Sequence, residues 1–260
     1  MRFFTAVTAS PSLASGSNYN FFPGIAVTGR QQRSLDTEEH VVRSISACLK
    51  QEGVFLTDNQ ARLCARHILL MQSWNQRVNL TRITGLREIL IKHLLDSLLP
   101  SRWLPRRGSA LDVGTGAGFP GVPINIVHPG LTMTLLETKR KKVSFLKVLL
   151  TKLQVPNLRV IQGKWEGLIE SQTRTTSARY DLITLRALRL NPDQLALLAG
   201  SLLNNAGAVA WWVGPKADES IARYYNPHLK QFGIEFEGCF PYALPSLPNA
   251  RNVCIWRKLS

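Results

Sequence analysis

Cysteine, acidic residues and long apolar runs are all scarce in this 260-residue chain. The four cysteines, Cys48, Cys64, Cys239 and Cys254, lie far apart with no C-x-x-C pair. That spacing argues against a zinc site or a disulfide framework and predicts buried free thiols in a reducing compartment, so a cytoplasmic location is expected. No uncharged apolar run approaches the roughly eighteen residues that span a bilayer, which predicts a soluble protein with no membrane partner. Residues 1–35 hold no Asp or Glu, three arginines and many Ser, Thr, Gly and Pro. Such a stretch buries too little apolar surface to offset its ordering entropy, so residues 1–38 read as a disordered extension. The same composition resembles an organelle transit peptide.

The acid deficit extends through the chain. Lys and Arg number 32 against 17 Asp and Glu, a formal net charge of +15. Residues 1–107 carry 14 basic and 7 acidic side chains and residues 108–260 carry 18 and 10, so the halves hold +7 and +8 and no tail accounts for the excess. An acidic polymer, RNA or DNA, is the partner class this charge favours.

The 45% hydrophobic content supplies a core. Residues 39–107 read as a helical cap: one apolar stripe runs from Val41 to Leu49, and Thr57 with Gln60 forms a capping box for a second helix. A third helix is expected from Leu86 to Leu99. Within the cap, WNQRVNLT gathers Trp74, Asn75, Arg77, Asn79 and Thr81, a mix suited to stacking and phosphate contact. Core packing is the plainer reading of Trp74. His93 and Asp96 stand three apart on the third helix, either facing the glycine loop or making an interhelical hydrogen bond. From 108 to 260 strands and helices alternate, with strands at Ala110–Val113, Thr132–Glu137, Leu158–Gln162, Tyr180–Leu185 and Ala208–Gly214. That pattern predicts an α/β fold with a parallel sheet covered on both faces. Two final stretches, near Ile234 and Asn252, suit antiparallel pairing at one edge.

The stretch Leu111–Gly121, LDVGTGAGFPG, organises the rest. Its glycines suit backbone that turns sharply or touches a ligand directly. Read from Gly116, it also fits the dinucleotide pattern G-x-G-x-x-G, with Glu137 twenty-one residues on. Asp112 at the strand end would repel a pyrophosphate and suits a cationic ligand, which favours S-adenosyl-L-methionine over NAD. In an open α/β sheet the ligand sits beyond the carboxyl ends of the strands, which selects Asp112, Gly114, Gly116 and Phe119, then Glu137, Trp165, Glu166 and Arg186. Glu137 suits vicinal ribose hydroxyls, and Trp165 with Glu166 suits adenine. Arg186 is expected to hold the methionine carboxylate or an RNA phosphate, with a structural salt bridge as the alternative. Lys139, Arg140, Lys141 and Lys142 at the pocket rim, with Arg77, are candidate RNA contacts.

WNQRVNLT, KHLLDSL, DVGTGAGFPGVP, LLET with KRKKVSFL, and YDLITLRAL, in this order, resemble the bacterial small-subunit ribosomal RNA guanine-N7 methyltransferases, the RsmG or GidB family. The resemblance covers about residues 40–215. It implies a seven-stranded Rossmann-like class I methyltransferase sheet, methylation of a guanine N7 in 16S ribosomal RNA, and S-adenosylmethionine contacts from Gly114, Phe119, Trp165, Glu166 and Arg186. The partner is then 16S RNA or the small ribosomal subunit, with the enzyme acting as a monomer. Lys164 and Trp165 before Glu166, Leu185 before Arg186, and Val213 after the fifth strand depart from the family pattern. Guanine N7 has a lone pair and sheds no proton, so no general base is expected. The Asn/Asp-Pro-Pro-aromatic stretch of amine methyltransferases is absent after the fourth strand, where Leu185, Arg186, Ala187 and Leu188 stand. A non-catalytic RNA-binding or assembly protein on the same scaffold, and an NAD-dependent oxidoreductase, are the alternatives.

Overall fold

The computed structural model describes residues 29–172, 179–214 and 220–259. Residues 1–28 of the expected N-terminal extension lie outside them. The first helix, α1 (Gly29–Gln51), begins well before His40, so the extension's expected boundary at residue 38 falls within a helix. Helix α2 (Asp58–Asn75) opens on the expected capping box: Gln60 N donates to Thr57 Oγ1 at 3.3 Å, and Thr57 N donates to Gln60 Oε1 at 3.0 Å. The third helical stretch is broken into α3 (Leu86–Ile89), a π-helical turn (Leu90–Leu95) and α4 (Asp96–Leu98). One residue too many in a turn shifts the face that follows, and such turns often mark functional places. Here the turn carries His93 and leads into Asp96.

Beyond the cap come β1 (Arg107–Val113), α5 (Gly121–Val127), β2 (Gly130–Glu137), α6 (Arg140–Leu153) and β3 (Leu158–Gln162). They are followed by α7 (Trp165–Gln172), β4 (Tyr180–Arg186), α8 (Pro192–Leu202) and β5 (Leu203–Val213). Helix α9 (Ser220–Lys230), β6 (Ile234–Tyr242) and β7 (Arg251–Lys258) close the described chain. The seven strands lie in the order β3-β2-β1-β4-β5-β7-β6. Strands β1 to β5 are parallel, while β7 is antiparallel to both β5 and β6. The chain leaves β1 in one direction and returns through β4 on its other side, so a crevice opens between them at the carboxyl end.

Alternation along the strands divides the core in two. Ala110, Leu182 and Ala210 face a layer shared with the cap, α5 and α6, whereas Leu111, Ile183 and Val209 face α7, α8 and α9. The cap has no separate core: Ile45, Ile68 and Leu94 belong to the same buried cluster as Val122, Phe145 and Val253. Cap surface therefore stays fixed relative to the strand ends.

Sequence reading missed α7 and α9. The first is eight residues long, and the second carries Pro227 inside it, which reads as a stop. The expectation of four free thiols is corrected for one pair. Cys239 and Cys254 face each other in the β6–β7 register with Cα atoms 4.0 Å apart, and they form a disulfide. Strand pairing at the sheet edge brings them together, which spacing along the chain does not show. Cys48 and Cys64 are free. No helix among the described residues is long and apolar enough to cross a membrane.

Candidate functional site

The glycine loop hangs from the end of β1 and is tied to β2. Gly114 N and Thr115 N both donate to Leu136 O, at 2.9 and 3.1 Å. Gly114, Gly116 and Gly118 have φ of +72°, +64° and +89°, values that exclude most side chains. At Gly118 a side chain would also strike Val122 and His67, whereas at Gly114 it would meet nothing within 4 Å. One glycine admits close packing below; the other leaves bare backbone facing open space.

Glu137 turns toward this loop. Its Oε2 accepts from Gly116 N at 3.0 Å and its Oε1 accepts from Lys139 N at 2.8 Å, and the residue is only 5% exposed. Thr138 Oγ1 also donates to Oε1, at 3.4 Å, so of the roughly four acceptor positions of the carboxylate the one left for a ligand hydroxyl is on Oε2. Beside it a cavity of about 240 Å³ is lined by Val113, Gly114, Gly163, Trp165, Glu166 and Leu188, among others. Glu166 Oε2 is buried there with no hydrogen-bond partner among the described residues. A buried acceptor without a donor costs about 1–3 kcal/mol and is a ready seat for an amine. A side chain at Gly163 would likewise meet nothing within 4 Å. The lining residues Gly163, Lys164 and Leu188 were not foreseen. The sign was available: they follow β3 and β4 just as Gly114 follows β1.

Three expected ligand contacts are placed elsewhere. Asp112 is fully buried: Gly121 N donates to its Oδ2 at 2.9 Å and Thr184 Oγ1 to its Oδ1 at 2.8 Å. Burial outweighs these bonds and raises its pKa. It ties the loop to the sheet and does not face the crevice, so it is no seat for a cationic ligand. Phe119 is corrected likewise. Its ring stacks between His67 and His93, at 4.5 and 4.9 Å and 17° from parallel, and is 4% exposed, so both faces are taken.

Arg186 leaves β4 on the cap side, followed by Ala187 at φ +56°, while Leu188 lines the cavity. Its Nη1 donates to Asp96 Oδ2 at 3.0 Å and to Lys92 O at 3.3 Å, and its Nη2 contacts His93 Nδ1 at 3.1 Å. Asp96, 1% exposed, also accepts from Tyr242 Oη at 2.7 Å and Arg251 Nη1 at 3.3 Å. This is the structural salt bridge, and it replaces the expected contact of Arg186 with the methionine carboxylate or a phosphate. Sequence reading missed Tyr242 and Arg251, which reach Asp96 from strands about 150 residues away along the chain. Burial lowers His67 to about 4, and burial with Arg186 lowers His93 to about 3, so both rings are neutral near pH 7.

Of the basic candidates, Lys139, Arg140, Lys141 and Arg77 are exposed and Lys142 is half-buried. Lys142 Nζ lies 3.8 Å from where a Cβ on Gly116 would stand, at the rim of the loop. Trp74, half-buried, packs edge-on against the core residue Phe145 at 5.8 Å, and Asn75 organises the following turn through Leu80 N, Thr81 N and Thr81 O. Among the described residues no group of His, Cys, Asp and Glu is placed to hold a metal.

A seven-stranded α/β sheet with a bare glycine loop at its switch point is common to several ligand classes, and likeness to known proteins decides among them. The model of the family rRNA small subunit methyltransferase G, GidB, matches residues 60–234. The chain belongs to that family. It is 43% identical over 215 residues to ribosomal RNA small subunit methyltransferase G 1 of Syntrophobacter fumaroxidans, covering 83% of this chain and 96% of that one. It is 32% identical to the methyltransferase G of Carboxydothermus hydrogenoformans, over 80% of this chain and 87% of that one. The fold is similar to that of a methyltransferase from Pyrococcus furiosus, with a TM-score of 0.50, 14% identity, and coverage of 76% and 98%. Membership in the methyltransferase G family makes the protein an S-adenosylmethionine-dependent methyltransferase. The crevice fits that cofactor, since the buried Glu166 oxygen lacks a donor and Gly114 leaves space above its backbone.

Proposed function

We propose that the crevice between the glycine loop and α7 holds S-adenosylmethionine and presents its methyl group to a guanine of the RNA. The reaction is methylation of guanine N7 in 16S ribosomal RNA, the activity that goes with the family. One observation carries the placement: Glu166, whose buried Oε2 has no donor among the described residues, lines the same cavity as bare Gly114. Glu166 takes the exocyclic amine of adenine, Trp165 and Leu188 flank the ring, and Glu137 takes a ribose hydroxyl through the acceptor position left on Oε2. Gly114 and Gly116 form the floor. The cofactor supplies an electrophilic methyl on a sulfonium. Guanine N7 offers a lone pair and loses no proton, so the residues have only to position and shield. Asp96, Arg186, His93 and Phe119 do the positioning by holding the loop rigid from the cap side. Lys139, Arg140, Lys141 and Arg77 are exposed and steer the RNA, each screened by salt.

Labelled S-adenosylmethionine tests this reading. Label enters the guanine N7 of 16S RNA or small subunits that lack the mark; labelling of protein or small metabolites alone overturns it. Light scattering is expected to show a monomer, and fractionation a cytoplasmic protein.

A further inference from the structure

The turn between α2 and α3 lies outside the cofactor crevice and holds a hydrogen-bonding capacity that the described residues leave unused. A guanidinium only donates, so the contact of Arg186 Nη2 with His93 Nδ1 makes that nitrogen the acceptor and places the imidazole proton on Nε2. Nε2–H then donates to Thr81 Oγ1 at 3.1 Å. Ile83 N donates to the same oxygen, also at 3.1 Å. Both lone pairs of the hydroxyl are thereby occupied, and its own proton is what remains to be given.

Thr81 lines a cavity of about 230 Å³ against α2. Met71 and Ile83 give it apolar walls. Gln72 donates its Nε2 to Thr84 O at 3.1 Å, which fixes the amide and leaves Oε1 as an acceptor. The volume lies below the roughly 300–1,000 Å³ of sites for drug-sized ligands and suits a single heterocycle. Gln72, Asn75, Gln76, Thr81 and Thr84 make the rest of its lining polar, and a donor at Thr81 beside an acceptor at Gln72 matches a nucleobase, whose flat ring carries both kinds of group on its edge. Thr81 and Phe119 touch the same imidazole, one at Nε2 and the other on its face, so a single ring, His93, separates Thr81 from the glycine loop.

We propose that this cavity is a base-reading pocket for the substrate RNA, in which the Thr81 hydroxyl donates to a base acceptor and Gln72 Oε1 accepts a base N–H. The inference rests on the RNA methyltransferase reading above. Three variants test it. Thr84→Trp blocks the exposed mouth, Thr81→Val removes the donor together with the acceptor that His93 Nε2 and Ile83 N use, and Thr81→Ser restores both. Affinity for a fluorescent 16S RNA fragment is read by anisotropy, KM and kcat by methyl transfer, and cofactor affinity by calorimetry. Thr84→Trp and Thr81→Val weaken RNA binding and raise its KM about tenfold, the loss expected of a hydrogen bond, while Thr81→Ser stays near wild type and cofactor affinity is unchanged in all three. Unchanged RNA affinity in Thr84→Trp overturns the pocket. A Thr81→Val defect that the serine fails to rescue, or one matched by equal loss of cofactor affinity, also overturns it. A wild-type protein that binds the RNA without methylating it refutes the enzymatic reading instead, and anisotropy still reads the pocket.

Discussion

The two sides of the switch point differ in how far their polar groups are satisfied. On the β2–β3 side, Glu166 keeps a buried oxygen with no donor and Gly114 faces open space. On the β4 side, Asp96 accepts from Tyr242, Arg251 and Arg186, and Phe119 is enclosed between two imidazoles. An unmet buried acceptor costs stability and makes sense where a ligand supplies the donor; a fully met network is a scaffold. Both sides carry charged residues at strand ends, so residue type does not tell them apart.

The most severe way to break this contrast is to take the anchor from the satisfied side. Asp96→Ala leaves the buried Tyr242 and the largely buried Arg186 without their acceptor, and the half-exposed Arg251 without its partner, and is expected to cost about 3–5 kcal/mol in urea denaturation. A loss below about 1 kcal/mol would show that the network is not a scaffold.

Acid probes the same side through its histidines. In the folded state His67 is held to about 4 and His93 to about 3, against roughly 6.5 when unfolded. The unfolded chain therefore binds more protons in between, so their contribution is complete above about pH 6.5 and is lost as pH falls toward 4 for His67 and toward 3 for His93, on the order of a few kcal/mol. Denaturation at several pH values checks this, and His67→Gln should flatten the slope.

On the open side the expected effects are on affinity. Glu137→Ala weakens cofactor binding by about tenfold to a hundredfold, the range of charge-assisted hydrogen bonds to ribose, as read by calorimetry. Glu166→Ala weakens it less, about tenfold, with no loss of melting temperature because its buried oxygen has no partner to forfeit. That pairing of lost affinity with kept stability is the sharpest test of the contrast. A melting temperature that drops with Glu166 would place it among the scaffold residues. Least in effect, Lys141→Ala should reduce the salt dependence of RNA binding by about one counterion, with little change in cofactor affinity.

Much of this was legible in the chain. Strand β3 lies where alternation places it, the predicted cap at Thr57 closes as a box, and Glu137 is turned to the glycine loop. These are local or near-local features, fixed by periodicity and by which residues can cap or turn. The roles of Asp112, Phe119 and Arg186 were not legible. Position at a strand end tells where a side chain starts, not whether a neighbouring strand, a following helix or the cap has already claimed its atoms. The π-helical turn that aims His93 and Asp96 leaves no mark in LIKHLL.

The sequence by itself determined the order of the strands, the family, and the place of the glycine loop, because these depend on residue types at short spacings. Tertiary structure decided which carboxylates remain available and which are consumed, and it joined Cys239 to Cys254. Those outcomes depend on partners as much as 155 residues apart, brought together by sheet pairing and by a core that runs unbroken from cap to sheet.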